Sequence, residues 1–330
     1  MDLSTTYLGF SLPHPLMPGA SPFAENLDTV KRLEDAGAAA IVMDSLFEEQ
    51  IIAEQEREVR EIEVPENTYA EALTYHPLTD EMRLGSELYL EKLSAIKQAV
   101  AVPVIGSLNG ASEGGWMRYA RLIEHAGADA LELNIYTLAD DPAISGAAVE
   151  ERLLSVVRQV RRQVTIPLAV KISPFFSSLP HFCKGLEEAG ANAILLFNRF
   201  YQPDIDPENL EVVSKLKLST RDELLLRLRW MAILSGNLKV SLGITGGVHT
   251  GIDVVKAVMC GAHVVQMVSA LLRNRPEYLA TVREELRVWL EKHQYESLRQ
   301  MRGSMAKEHT SDRAMLERVN YIRVLLGGPG

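Results

Sequence analysis

Short apolar runs alternate with helical patterns along almost the whole chain. Each run is too short for a core helix and is bounded by small or polar residues, which is typical of a buried strand. Eight such strand–helix units in one chain of 330 residues predict a single closed (β/α)8 barrel, the TIM barrel. The predicted strands are His14–Ser21, Ala40–Ser45, Val102–Leu108, Ala130–Tyr136, Pro167–Ser173, Ala193–Asn198, Val240–Ile244 and His263–Met267.

A recurring glycine separates the predicted helices from the strands that follow them. Gly37, Gly127, Gly190 and Gly261 each stand just past a helical pattern, with small residues leading into the next strand. Glycine is favoured there because the residue after a helix often adopts a left-handed conformation. The repetition supports eight successive units of the same kind.

Two predicted connections are longer than ordinary loops. The first, Leu46–Gly85, follows the second strand and begins with a charged helical pattern that favours a solvated face. Its second half carries Tyr69, Tyr75 and His76, which we expect to form a lid. The second, Arg199–Thr220, follows the sixth strand. Both leave the barrel at the face where such enzymes place their active sites.

The chain closes with a predicted helical extension. Apolar residues recur at helical spacing within 313–326, so we expect a helix that docks against the barrel or a partner subunit. The predicted domains are a barrel of residues 1–305 and an extension of residues 306–330. The apolar positions are Met315, Val319, Ile322 and Leu326.

Charge and composition exclude several classes of function. A net charge of −10 argues against non-specific binding to nucleic acid or to an anionic membrane. No secretory leader or bilayer-spanning apolar run is present, so a cytoplasmic protein is expected. Cys183 and Cys260 form no CxxC pair and are expected to be reduced. No iron–sulfur ligation pattern appears, and no metal is predicted.

Lys171 lies inside the fifth predicted strand, in the segment AVKIS. A lysine in a barrel is costly to bury without a charged partner. It could hold positive charge over an electron-rich cofactor, or act as the Schiff-base nucleophile of an aldolase. A lysine whose amine reaches solvent at the rim is the structural alternative.

Polar side chains end most of the other strands, so the mouth of the barrel is expected to be polar. Amide side chains there both donate and accept hydrogen bonds. The polar residues at these ends are Ser21, Ser45, Ser107, Asn109, Asn134 and Asn198.

The loops after the last two strands predict a phosphate site. Gly246 and Gly247 follow strand seven, and Ser269 follows strand eight. Glycines let backbone amides approach an anion, and barrels commonly hold phosphate after these two strands. A phosphate-bearing ligand is therefore expected.

These motifs, in this order, resemble the dihydroorotate dehydrogenase family over about residues 3–305. The resemblance implies an FMN-dependent TIM barrel that oxidises a CH–CH bond, converting dihydroorotate to orotate in pyrimidine biosynthesis. The matching segments are Gly19-Ala20-Ser21, Glu132-Leu133-Asn134, Val170-Lys171, Thr245-Gly246-Gly247, Cys260-Gly261-Ala262, Gln266-Met267 and Ser269-Ala270-Leu271.

The same resemblance implies roles for individual residues. Lys171 would face the pyrimidine ring of the flavin and stabilise its anionic reduced form. The residues implied to bind the FMN phosphate are Gly246, Gly247 and Ser269. Those implied to bind the rest of the cofactor are Ala20, Ser21, Ser45, Asn109 and Asn134. Those implied to bind the substrate are Asn134 and Asn198.

This chain departs from the family pattern more at the residues implied to bind the substrate than at those implied to bind the phosphate. Thr137 stands where the family has a cysteine or serine base, with Tyr136 as an alternative base. Asp44 replaces a lysine, which would reverse the charge near the flavin. Leu138-Ala139 replaces Pro-Asn, and residues 216–220 (LKLST) replace a glycine-rich turn.

Three alternatives to dihydroorotate oxidation stay open at this point. The chain could be a flavin enzyme for a different cyclic substrate, a catalytically silent FMN-binding subunit, or a Lys171 Schiff-base aldolase. A small-molecule substrate and a homodimer are expected.

Overall fold

The fold is described from a computed structural model that covers residues 1–54, 85–114, 117–199, 202–311 and 313–326. In chain order the strands are β1 (Thr5–Tyr7), β2 (Phe10–Leu12), β3 (Leu16–Pro18), β4 (Ile41–Phe47), β5 (Val104–Asn109), β6 (Ala130–Asn134), β7 (Leu168–Ile172), β8 (Ala193–Leu196), β9 (Asp204–Asp206), β10 (Glu211–Val213), β11 (Ser241–Thr245) and β12 (Val264–Met267).

The helices alternate with these strands as the sequence predicts. In chain order they are α1 (Leu27–Asp35), α2 (Ser86–Ala99), α3 (Arg118–His125), α4 (Gly146–Gln163), α5 (Leu179–Glu188), α6 (Leu224–Leu234), α7 (Gly251–Met259), α8 (Ser269–Asn274), α9 (Tyr278–Lys292), α10 (Leu298–Met301) and α11 (Val319–Leu326). Short 3-10 turns span Pro22–Glu25, Arg221–Glu223 and Arg313–Leu316.

Eight strands form one parallel sheet in the order β3-β12-β11-β8-β7-β6-β5-β4. The amide of Ala39, just before β4, donates to the carbonyl of Leu16 in β3 at 3.0 Å, which links the two outermost strands. Strands such as β6 and β7 are buried along their whole length, as expected for a parallel sheet covered by helices. The predicted TIM barrel is confirmed.

The glycines that end the helices have the predicted conformation. Gly37, Gly127, Gly190 and Gly261 have φ angles of 88°, 101°, 99° and 117°, which a side chain would disfavour. Each follows a helix whose last carbonyls bond to the turn, so that the chain reverses directly into the next strand.

The lower end of the barrel is filled by apolar side chains. The β1–β2 hairpin contributes Tyr7, Leu8 and Leu12, which cluster with residues at the starts of the barrel strands, including Ala130 and Val264. Each hairpin strand has only three residues, too few for the alternation that reveals a strand in a sequence. The hairpin was therefore not predicted, although it closes the floor of the barrel.

The two long connections differ in how much of each is described. Residues 48–54 are helical, in agreement with the charged helical pattern, but Tyr69, Tyr75 and His76 lie outside the described residues. The second connection contains the β9–β10 hairpin, in which Ile205 pairs with Val212 and both side chains are exposed.

The described part of the predicted apolar face of the C-terminal extension is exposed. Ile322 and Leu326 are 57% and 83% exposed, and the side chains of Met315 and Val319 lie outside the description. The described contacts with the barrel include two hydrogen bonds, in which Arg229 of α6 donates to the carbonyls of Leu316 and Glu317. Packing against a partner and the division after residue 305 stay predictions.

Within the described residues, no helix combines the length and the apolar character needed to cross a bilayer.

A buried and a half-buried histidine serve as acceptors for strand amides. His14 Nδ1 accepts from the amide of Leu16 at 3.2 Å, and His263 Nδ1 accepts from the amide of Leu242 at 3.0 Å. Burial lowers the pKa of each imidazole to about 4. Protonation would also remove the lone pair that accepts each bond, so both rings are neutral in the folded protein.

We expect the free energy of unfolding to fall as the pH drops from about 6.5 to about 4. In that window the unfolded chain protonates both histidines while the folded protein does not, so stability is present above pH 6.5 and is lost on acidification. By pH 4 each of His14 and His263 should lower the free energy of unfolding by about 3 kcal/mol.

Urea unfolding at several pH values measures this slope. The double variant His14→Gln, His263→Gln should flatten it, whereas replacement of the exposed His181 by glutamine should leave it intact. An unchanged slope in the double variant would contradict the assignment.

Candidate active site

A cavity of about 1200 Å³ opens at the carboxyl ends of the barrel strands. Every barrel strand contributes a residue to its wall, at or just after the strand's end. Most of the predicted site residues therefore lie together. Those that line the cavity are Ala20, Ser21, Ser45, Asn109, Asn134, Lys171, Asn198, Gly246 and Ser269.

Two predicted residues, Gly247 and Thr137, are not among the lining residues. Gly247 continues the turn of Gly246, and Thr137 is half-buried beyond β6. Tyr136, the alternative base, does line the cavity. Burial raises the pKa of Tyr136, so its phenol stays protonated at neutral pH and can donate a hydrogen bond but cannot accept a proton.

The buried lysine has the charged partner that its position requires. Lys171 Nζ lies 2.7 Å from Glu132 Oε1, and the two side chains are 7% and 0% exposed. Gln266 Nε2 donates to the other oxygen, Glu132 Oε2, at 2.5 Å. This network joins β6, β7 and β12. The sequence contains Glu132 in the family motif, but only the barrel register shows it to be the partner of Lys171.

The ion pair weakens the aldolase alternative. An amine attacks a carbonyl through its free lone pair, whereas Lys171 is held as an ammonium against the Glu132 carboxylate. The pair is also neutral as a whole, so its electrostatic field falls off quickly with distance. Lys171 therefore acts on a ligand mainly as a local hydrogen-bond donor.

A network of hydroxyls and one amide forms the polar wall beside this pair. Asn134 Nδ2 donates to Ser45 Oγ at 3.2 Å and to Ser107 Oγ at 3.3 Å, and the two hydroxyls lie 2.8 Å apart. Asn134 Oδ1 is buried and has no hydrogen-bond partner among the described residues. A buried acceptor without a donor is costly, so this oxygen suits a ligand that brings an N–H group.

The expected charge reversal at Asp44 is compensated. Lys92 of α2 places Nζ 2.7 Å from Asp44 Oδ2, so the pair is neutral. A bulge in β4 between Val42 and Ser45 turns two consecutive polar side chains, Asp44 and Ser45, onto the cavity. Asp44 Oδ1 is a second buried acceptor with no partner within the part of the chain described.

The predicted phosphate end is built from two serines and a glycine turn. Gly246 and Gly247 have φ angles of 85° and 81°. Ser219 Oγ accepts from the amide of Gly247 at 3.2 Å and lies 2.9 Å from Ser269 Oγ, which also accepts from the amide of Ser219. Ser219 belongs to the segment LKLST, so the departure from the family's glycine-rich turn still supplies polar groups here.

A buried arginine behind this turn was missed from the sequence. Arg227 of α6 is 6% exposed, and it donates from Nε to the carbonyl of Thr245 at 2.5 Å and from Nη1 to that of Glu223 at 2.7 Å. A Cβ on Gly246 would lie 2.8 Å from Arg227 Nη2, so this close approach requires glycine. The one signal was a pair of arginines in the otherwise apolar helix LLLRLRWMAIL.

The sequence profile described as dihydroorotate dehydrogenase matches residues 3–290. The chain belongs to the dihydroorotate dehydrogenase family. This family comprises flavin-dependent dehydrogenases, so the enzyme class predicted from the sequence is confirmed.

Three relatives that the chain matches are distant from it in sequence. The catalytic subunit of dihydroorotate dehydrogenase B (NAD(+)) from Thermoplasma volcanium is 24% identical, over 93% of this chain and 99% of the relative. Dihydropyrimidine dehydrogenase (NADP(+)) from Arabidopsis thaliana is 22% identical, over 96% of this chain and 80% of the relative. Subunit PreA of the NAD-dependent dihydropyrimidine dehydrogenase of Escherichia coli is 25% identical, over 60% of this chain and 48% of the relative.

We expect Glu132→Gln to destabilise the fold by about 3–5 kcal/mol, because it leaves the Lys171 ammonium buried beside a neutral group. Urea unfolding measures the loss. The double variant Glu132→Gln, Lys171→Met removes both charges and should recover most of it. If Glu132→Gln unfolded at the wild-type urea concentration, the ion pair would carry no structural role.

Proposed function

We propose that this chain is an FMN-dependent dehydrogenase that oxidises a CH–CH bond of a dihydroorotate-like cyclic amide, with dihydroorotate as the leading substrate. The observation that carries the proposal is one continuous cavity with two different ends. One end has the glycine turn and hydroxyls of Ser219 and Ser269, and the other has Asn134 and Lys171.

The two ends fit the two halves of FMN. A phosphate ester suits serine hydroxyls beside a glycine turn with positive φ angles. A ring with N–H and carbonyl groups suits the unpartnered oxygen of Asn134 and the ammonium of Lys171. The cavity exceeds the ~300–1,000 Å³ of typical ligand pockets, which leaves room for a cofactor and a substrate together. When bound, FMN supplies the hydride acceptor.

The chain's own residues then bind the substrate and handle its proton. Asn198 at the end of β8 and Asn134 at the end of β6 line the cavity and can bind a planar amide from two sides. Thr137 stays the predicted proton acceptor, while the protonated Tyr136 is suited to donate a hydrogen bond.

A neutral dihydropyrimidine is a second candidate substrate, and the pairing of the cations favours it. Lys171 and Lys92 each face a carboxylate at 2.7 Å, and Arg199 lies 3.7 Å from Glu223. Dihydroorotate carries a carboxylate that has to compete with these partners, whereas a neutral ring brings N–H groups to the acceptors Asp44 Oδ1 and Asn134 Oδ1. Two of the relatives are dihydropyrimidine dehydrogenases.

An anaerobic titration tests the proposal. The purified protein, supplied with FMN, should be yellow and should bleach when dihydroorotate or dihydrouracil is added. Bleaching by dihydroorotate supports the leading substrate, and bleaching by dihydrouracil alone supports the neutral one. FMN binding without bleaching by any dihydropyrimidine would favour the silent-subunit alternative, and a protein that binds no flavin would overturn the proposal.

Replacing Asn134 should slow flavin reduction. We expect Asn134→Ala to lower the rate by about 100-fold, since a buried hydrogen-bonding group at the reacting ring is lost. Stopped-flow absorbance measures this, and the matched exposed substitution Asn237→Ala should keep the wild-type rate. Equal rates in both variants would place the substrate elsewhere.

The homodimer and the cytoplasmic location stay predictions. Light scattering of the purified protein and fractionation of cells measure the two directly.

A further inference from the structure

Arg227 is a buried cation that backbone carbonyls hold in place. Within the described part of the chain, its guanidinium has no acidic group within ion-pair distance, whereas Lys171 has Glu132. Its hydrogen bonds go to the carbonyls of Thr245 and Glu223 instead. Carbonyl oxygens satisfy donors but carry no full negative charge, so the guanidinium of Arg227 is not paired directly with an anion.

A second guanidinium and a carboxylate lie close to Arg227 in the part of the chain described. The Glu223 carboxylate lies 3.7 Å from Arg199 and also accepts from the amide of Thr220. Burial and the nearby charge of Arg199 lower the pKa of Arg227, and Glu223 opposes them. Glu223 therefore acts on both guanidinium groups, and its ion pair is with Arg199, not with Arg227.

The charge of Arg227 lies directly behind the glycine turn. Arg227 Nη2 would be 2.8 Å from a Cβ on Gly246, and Gly246 lines the cavity. Nη2 makes no hydrogen bond to any residue that the structure describes. Ser219 and Ser269 also line the cavity, and Ser219 Oγ accepts from the amide of Gly247 in the same turn. An anion seated against these hydroxyls would face the guanidinium across one peptide of backbone.

We infer that Arg227 supplies, from behind the Gly246–Gly247 turn, the positive charge that selects a phosphorylated flavin over an unphosphorylated one. The inference rests on the proposed FMN function and extends it to a residue outside the cavity wall. Arg227 acts through the turn and is therefore a positioning residue with an electrostatic effect on binding, not a catalytic residue.

A purely structural role makes a different prediction from a charge role. If Arg227 only tied α6 to β11 through two carbonyls, its loss would weaken the whole pocket and affect every flavin alike. If its charge attracts phosphate, its loss would weaken FMN binding and leave riboflavin binding unchanged, because riboflavin lacks the phosphate. Comparing the two flavins therefore isolates the electrostatic contribution.

The experiment measures dissociation constants of FMN and riboflavin by flavin fluorescence for the full chain and three variants. Arg227→Gln removes the charge and keeps a donor, Arg227→Lys keeps the charge, and Arg229→Gln makes the same change at an exposed site of the same helix. We expect Arg227→Gln to weaken FMN binding by on the order of 10- to 100-fold, as expected for loss of a nearby charge of low exposure. Riboflavin binding should change by less than about threefold, a small fraction of that effect.

The control variants and ionic strength sharpen the outcome. Arg227→Lys should retain most of the preference for FMN, and Arg229→Gln should retain all of it. Added salt should weaken the binding of FMN to the wild-type protein more than the binding of riboflavin, because salt screens the interaction with the phosphate. The Arg227→Lys variant and the salt dependence of the wild type decide the question even if Arg227→Gln fails to fold.

Each contrary result has its own meaning. Equal loss of both flavins in Arg227→Gln, or equal affinity of the wild type for both with no salt dependence, would overturn this inference and leave the flavin site standing. A wild-type chain that binds neither flavin would overturn the proposed function together with the inference.

Discussion

The ion pair between Lys171 and Glu132 is the interaction on which the interior of the barrel depends. It lies between the apolar floor formed with the β1–β2 hairpin and the polar cavity above, and Gln266 extends it to a third strand. Two charges this deeply buried are tolerated only when they satisfy one another with good geometry. The register of β6, β7 and β12 is therefore tied to the chemistry of the mouth, because a shift of one residue would separate the partners.

The architecture was predictable because it depends on local signals. Buried parallel strands appear as short apolar runs, and each helix ends at a glycine whose left-handed conformation the structure retains. The grouping of the site residues was predictable for a topological reason. Parallel barrel strands all end on one face, so polar residues such as Asn109, Asn134 and Asn198 had to lie near one another.

The pairing of charges was not predictable, since it depends on contacts between distant parts of the chain. Asp44 appears as an isolated reversal of charge in the sequence, and only the packing of α2 on β4 supplies Lys92. Arg227 resembles a surface residue of a helix until α6 packs behind the turn after β11. The exposed Ile322 and Leu326 show the opposite case, in which helical spacing of apolar residues indicates a helix but not its partner.

The closed floor of the barrel has a kinetic consequence. With Tyr7, Leu8 and Leu12 filling the lower end, small molecules reach the polar layer from the upper mouth. A small-molecule electron donor and a small-molecule electron acceptor would then both have to enter the cavity through that mouth. If the opening admits one such molecule at a time, the first has to leave before the second enters.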